Sequence, residues 1–94
     1  MYQLVVTPSA KRSLKKLPRK IREDLIQEAK ILETDPFSGE KLSGILYFLY
    51  SFHFKSNNVA YRVAYTIDRE RKLIFIHFAN TRENFYEKLR RLFR

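Results

Sequence analysis

Apolar side chains recur along this chain in two rhythms, every second residue or every third to fourth. The first rhythm belongs to a half-buried strand and the second to an amphipathic helix. Tyr2, Leu4 and Val6 alternate with Gln3 and Val5, which predicts a strand over Tyr2–Val6. Thr7-Pro8 then reads as a helix N-cap followed by proline at the first helical position. Ala10, Leu14 and Leu17 continue at helical spacing, with Lys11, Arg12, Lys15 and Lys16 facing outward. Pro18 interrupts this helix. Ile21, Leu25, Ala29 and Leu32 form the stripe of a second one, which ends before Asp35-Pro36. The two make a helical hairpin whose first arm is strongly basic.

Phe37–Gly44 holds both glycines and reads as a loop. Beyond it the rhythm returns to two. Over Leu49–Lys55, Tyr50, Phe52 and Phe54 alternate with Ser51, His53 and Lys55. Over Val59–Ile67, Val59, Tyr61, Val63, Tyr65 and Ile67 alternate with Ala60, Arg62, Ala64 and Thr66. Ser56-Asn57-Asn58 between them is turn chemistry. A further strand, Leu73–Ala79, follows the charged turn Asp68–Lys72. Asn80 with Glu83 three residues on resembles a capping box, so the last helix is expected from Asn80, with Phe85, Leu89, Leu92 and Phe93 as its buried stripe. The order predicts one α+β domain over residues 1–94. An N-terminal strand leads into a helical hairpin packed on one face of a mostly antiparallel four-stranded sheet, and a C-terminal helix closes the chain.

Alternation also sets register. If Asn57 and Asn58 form the loop, Ser56 faces Val59, Phe54 faces Tyr61, Phe52 faces Val63 and His53 faces Arg62. Pairing Asp68 with Leu73 sets Tyr65 against Ile76 and Val63 against Phe78 on the core side. It places Ala64 beside His77 and Arg62 beside Ala79 on the other. That other face then carries His53, Lys55, Arg62 and His77 among small residues, with nothing bulky over Arg62. Arg82 and Tyr86, one helical turn apart, emerge where the last strand ends. The expected result is a shallow cationic site floored by the sheet. Arg82 in a first helical turn opposes the macrodipole, which favours a functional reason for it.

Composition narrows the partners. The 94 residues carry 19 Lys and Arg against 10 Asp and Glu, a net charge of +9 that favours polyanions. Lys11, Arg12, Lys15, Lys16, Arg19 and Lys20 gather much of it as a candidate nucleic-acid contact. With no cysteine, a disulfide framework and a thiolate zinc site are excluded, which fits a reducing cytoplasm. No apolar run suggests a membrane span, and the start lacks the basic and apolar regions of a signal peptide.

These pieces together resemble the RelE/ParE superfamily of toxins from type II toxin–antitoxin pairs. The resemblance covers nearly the whole chain: an N-terminal strand into TPSAKRSLKKLP, the DPFSGEKLSG loop, YRVAYTID and a terminal TRENFYEKL. It is similar to the RelE branch, whose members cut messenger RNA in the ribosomal A site. ParE-type members instead poison DNA gyrase and usually lack the full catalytic set. The resemblance puts the family's strand arginine on Arg62, its second arginine on Arg82 and its C-terminal aromatic on Tyr86. Well-studied RelE members carry lysines on the strand before YR-x-x-Y, where this chain has Ser51 and His53, with Lys55 further along. Other branches use histidine as the base. His53, His77, Lys55 and Tyr86 therefore all stand as candidates for that role, with His77 and Lys55 also candidate RNA contacts.

Metal-independent RNA cleavage needs a base for the 2′-hydroxyl, cations for the charge growing on the phosphate, and an acid for the 5′-oxygen. Arginine suits the second task because its planar fork binds two phosphate oxygens. The expected function is a ribosome-dependent endoribonuclease with no cofactor and no membrane, acting on ribosome and messenger RNA and neutralised by an acidic or amphipathic antitoxin. The competing readings are a gyrase inhibitor without nuclease activity and a non-catalytic RNA-binding domain.

Overall fold

Thr7 caps the first helix as its position predicts. In the computed structural model, which describes residues 1–93, its Oγ1 accepts from the Ala10 N–H at 3.2 Å, with Pro8 opening α1 (Pro8–Lys15). Before it runs β1 (Gln3–Val6), and after Pro18 comes α2 (Arg19–Ala29), extended by a 3₁₀ turn over Lys30–Glu33. The apolar stripes of both helices, Ala10, Leu14, Ile21, Leu25, Ala29 and Leu32, are buried against one face of a sheet. That face presents Phe54, Tyr61, Val63, Tyr65, Ile74 and Ile76.

The sheet has five strands rather than the four expected, in the order β1-β5-β4-β3-β2. The added member is β2 (Glu40–Lys41), a two-residue strand inside the expected loop that pairs Glu40 with Ser51 and Lys41 with Tyr50. Two residues carry no readable alternation. The segment is fixed instead by Tyr65, whose hydroxyl donates to the Pro36 carbonyl at 2.7 Å and accepts from the Gly39 N–H at 3.2 Å. Glycine is needed at 39 because a Cβ there would lie 2.5 Å from that hydroxyl. The other strands are β3 (Tyr50–Ser56), β4 (Val59–Asp68) and β5 (Leu73–Thr81), all antiparallel neighbours, while β1 pairs β5 in parallel.

The β3–β4 register is the one expected, Ser56 with Val59 through His53 with Arg62. Asn57 and Asn58, at φ 56° and 65°, supply the two left-handed positions of its tight turn. The β4–β5 register starts as expected, with Asp68 opposite Leu73 and Tyr65 opposite Ile76, and then slips by one. Ala64 faces Phe78, not His77, so His77 is the extra residue of a β-bulge. From there on β5 reverses its faces. Ala79 joins Val63 in the core, Phe78 moves to the opposite face, and Asn80 rather than Ala79 stands beside Arg62.

The C-terminal helix α3 (Phe85–Leu92) starts five residues later than the capping signal implied. The ladder wins: β5 runs on to Thr81 because Tyr61 and Arg62 offer partners, and the Arg82 N–H donates to the Ala60 carbonyl at 3.0 Å. Asn80 spends its side chain on the next residue, accepting from the Thr81 N–H at 2.7 Å. α3 then folds back over the second face, burying Phe85 and Leu89 against Ala64, Leu42, Leu46 and Leu49. The sheet is thus covered on both sides, and that face is a second core rather than an open floor. Leu92, expected inside, is exposed, and Phe93 packs partly covered against Phe48 and His77.

Candidate functional site

Register brings the expected side chains together at the margin of the second core. His53 on β3, Arg62 on β4 and Asn80 on β5 stand opposite one another and form a polar row across three strands. Small residues do flank Arg62, but their effect differs from the expectation. Ala64, fully buried, admits Phe85, and the next residue, Tyr86, lies on Arg62. Arg62 Nη1 donates to the Tyr86 hydroxyl at 2.6 Å, and its guanidinium carbon sits 5.2 Å from the ring centroid. Both side chains are half-buried, so the fork is held in one orientation while part of it faces solvent.

Arg82 is exposed on the turn after β5, anchored through its backbone to Ala60. It therefore lies outside any helix, and the macrodipole argument for it does not apply. Lys55 pairs with the same Ala60 across the hairpin, which brings it to this end of the sheet. Among the described residues neither Arg62 nor Arg82 has a carboxylate within 4.0 Å.

His53 is exposed, and its pKa is pulled below the usual imidazole value by partial desolvation first, then by the Arg62 and Arg82 charges. Glu40 pulls the other way. It reaches this position through β2, opposite Ser51, which puts it on the same face and diagonal to His53. The ring is consequently neutral near pH 7 and able to accept a proton. Glu40 carries no sequence signal; only the unforeseen strand places it.

His77 is not part of this group. It lies in the bulge about 10 Å along β5 from Asn80, bonded through Nε2 to Thr66 Oγ1 at 2.8 Å and flanked by Phe75 and Phe93. Burial lowers its pKa. The basic cluster also divides. Arg19 and Lys20 pair with Glu23 and Asp24 one turn along their own helix, at 3.2 and 3.0 Å. Lys11 is exposed on α1. Arg12, Lys15 and Lys16 face a groove whose other wall is α3.

The sequence from residue 4 to residue 90 matches the model of the ParE-like toxin of type II bacterial toxin–antitoxin systems. The chain belongs to that family. Its fold is shared with solved structures from the same systems. A chain of the RelBE2 toxin–antitoxin complex of Mycobacterium tuberculosis is 29% identical with a TM-score of 0.76, covering 86% of this chain and 98% of its own. A free-state variant of the Escherichia coli toxin RelE is 20% identical with a TM-score of 0.71, covering 97% of each chain. A chain of the archaeal RelE–RelB complex of Pyrococcus horikoshii is 24% identical with a TM-score of 0.59, covering 86% of this chain and 94% of its own. No curated protein matches the chain. In this toxin no helix among the described residues is long and apolar enough to cross a membrane.

Proposed function

We propose that this toxin is an endoribonuclease that cuts messenger RNA in the ribosomal A site, with arginine rather than a metal ion supplying the positive charge. The observation that carries the reading is Arg62, a guanidinium aimed by a tyrosine hydroxyl, with no ion-pair partner among the described residues and directly opposite a neutral histidine. His53 takes the 2′-hydroxyl proton as the 2′-oxygen attacks phosphorus. Arg62 and Arg82 hold the non-bridging oxygens, where charge grows in the transition state. The Tyr86 hydroxyl accepts from Arg62, so its own proton is left to give to the departing 5′-oxygen. The products are a 2′,3′-cyclic phosphate and a 5′-hydroxyl end.

The site is shallow and exposed on the His53 and Arg82 side, so it does not by itself align the 2′-hydroxyl for in-line attack. The ribosome supplies that alignment by fixing the codon. The partner that silences the toxin is a cognate antitoxin with an acidic or amphipathic segment, matching the +9 charge and the complexes formed by similar toxins. A toxin acting on ribosome and message in this way works in the cytoplasm. The ParE-like description of the family supports a second reading, inhibition of gyrase without cleavage. Induction followed by primer extension separates the two. Discrete cuts within codons of translated messages, together with poor cleavage of naked RNA, are expected; intact messages alongside broken chromosomes would select gyrase.

A further inference from the structure

A groove of about 670 Å³ runs along the edge of β5 between α1 and α3. Arg12, Lys15 and Lys16 line one wall, Lys88 and Arg91 the other, and among the described residues no carboxylate lines either. Among the described residues only Arg91 of these five has an ion-pair partner, Glu87 on its own helix at 2.7 Å, and that pair is solvent-exposed and therefore weak. Phe78 and Asn80 of β5 contribute to the floor. The groove exists because β1 stops opposite Ile76 and α1 takes over the strand edge. There Ser9 Oγ donates to the His77 carbonyl at 2.8 Å, and Ser13 Oγ accepts from the Ala79 N–H at 3.1 Å.

Asn80 ties this groove to the candidate cleavage site, since it is the β5 partner of Arg62 and the last member of the row that begins at His53. α3 seats Phe85 one row further along, over Ala64 and Phe78, and leaves both Arg62 and Asn80 only half-buried. Resting on the cleavage reading above, we propose that an RNA strand held at Arg62 follows this row and lays its flanking backbone in the α1–α3 groove. Its phosphates meet the two cationic walls and one base meets Phe78. Cationic walls beside an aromatic surface are what sequence-tolerant single-strand binding requires. An acidic amphipathic helix also matches cationic walls, but it has no use for a polar row leading to Arg62. The row favours the strand.

The test uses the whole chain and 2′-O-methyl oligoribonucleotides, which lack the attacking hydroxyl and are not cut. Fluorescence anisotropy across a salt series compares lengths of about three and about twelve nucleotides. The longer probe is expected to bind about tenfold more tightly, with a salt dependence steeper by roughly 0.7 for each added phosphate contact. Lys88→Gln/Arg91→Gln changes two exposed α3 side chains and is expected to remove most of that gain, flattening the slope by about 1.4 while leaving the short probe unaffected. Equal affinity for the two lengths overturns the proposal, as does a double variant that keeps the full gain. A glutamate-rich amphipathic peptide that alone depends on Lys88 and Arg91 also overturns it, giving the groove to an acidic helix. Failure of the cleavage reading appears separately, as intact messages after induction with these affinities unchanged.

Discussion

Arg62 and Tyr86 are joined by one short hydrogen bond, and a double-mutant cycle on this pair tests the proposed chemistry most directly. Tyr86→Phe removes the hydroxyl and keeps the ring, so the stacking seen at 5.2 Å survives while the 2.6 Å bond does not. A hydrogen bond to a charged group contributes about 1.5–3 kcal/mol, which at 1.4 kcal/mol per decade predicts a rate lower by at least roughly 10- to 100-fold, to which loss of the proposed acid adds. Arg62→Ala removes the proposed phosphate donor itself, for which the expected loss is about 10²–10³. Independent contributions would multiply to roughly 10³–10⁵ in the double variant. The geometry predicts otherwise. Tyr86 aims Arg62, and its own proton is useful only to a phosphate that Arg62 holds, so the two act as a unit. Arg62→Ala/Tyr86→Phe is expected to be about as slow as Arg62→Ala alone. The assay is single-turnover cleavage of a message on programmed ribosomes, with thermal melts showing that each variant remains folded. Fully multiplicative losses would refute the assignment of Tyr86 to Arg62 and leave it an independent role.

Three further outcomes follow from the geometry. Because desolvation and the Arg62 and Arg82 charges lower the His53 pKa, the cleavage rate should rise with pH and reach its plateau with a midpoint below about 6.5; His53→Gln should abolish that limb, and a midpoint above 6.5 would remove His53 as the base. His77 is protonated less readily folded than unfolded, so its contribution to stability is complete above about pH 6.5 and is lost as pH falls through its lower folded-state pKa. Melting temperature should therefore drop more steeply on acidification in the native protein than in His77→Gln, and parallel curves would show that the ring titrates freely. Gly39→Ala places a Cβ 2.5 Å from the Tyr65 hydroxyl and 2.8 Å from the Ser51 carbonyl, so overpacking should cost about 1–3 kcal/mol in urea unfolding; unchanged stability would mean that the β2 segment moves aside without loss.

The hairpin of β3 and β4 was legible because two constraints agreed. Asn57-Asn58 fixed the turn length, and aromatic residues on one face only fixed parity, so the pairing of His53 with Arg62 followed from the sequence alone. β5 offers no such parity. In Ile74–Phe78 apolar residues stand at nearly every position because the strand serves two cores, and alternation cannot reveal where a bulge inserts. The consequence for the site was an Ala79 neighbour expected beside Arg62 where Asn80 stands. The helix start differs from its sequence signal for a local reason, since Asn80 and Glu83 have the right spacing for a cap but Thr81 still belongs to the ladder. Glu40, Lys88 and Arg91 were invisible for the same kind of reason. Each enters through an element too short, or a helix flank too dependent on docking angle, for periodicity to place.

α3 carries a consequence that reaches beyond the site's geometry. It is eight residues long, and a helix of that length has no stability of its own in water. Phe85 and Leu89 are the only side chains it buries completely, whereas the sheet is held by two helices on its other side and by ladders throughout. The protein is therefore built in two tiers of cooperativity. Undocking α3 requires less free energy than unfolding the domain, and it carries Tyr86 away from Arg62 while leaving the sheet, the hairpin helices and the row from His53 to Asn80 in place. The same chain thus has a folded state without the Arg62–Tyr86 contact within reach, and a partner that takes the seat of Phe85 and Leu89 reaches it by displacing those two side chains, the Tyr86 bond and the partly covered Phe93. Hydrogen exchange should register the two tiers directly, with α3 amides exchanging through a local opening long before those of β4.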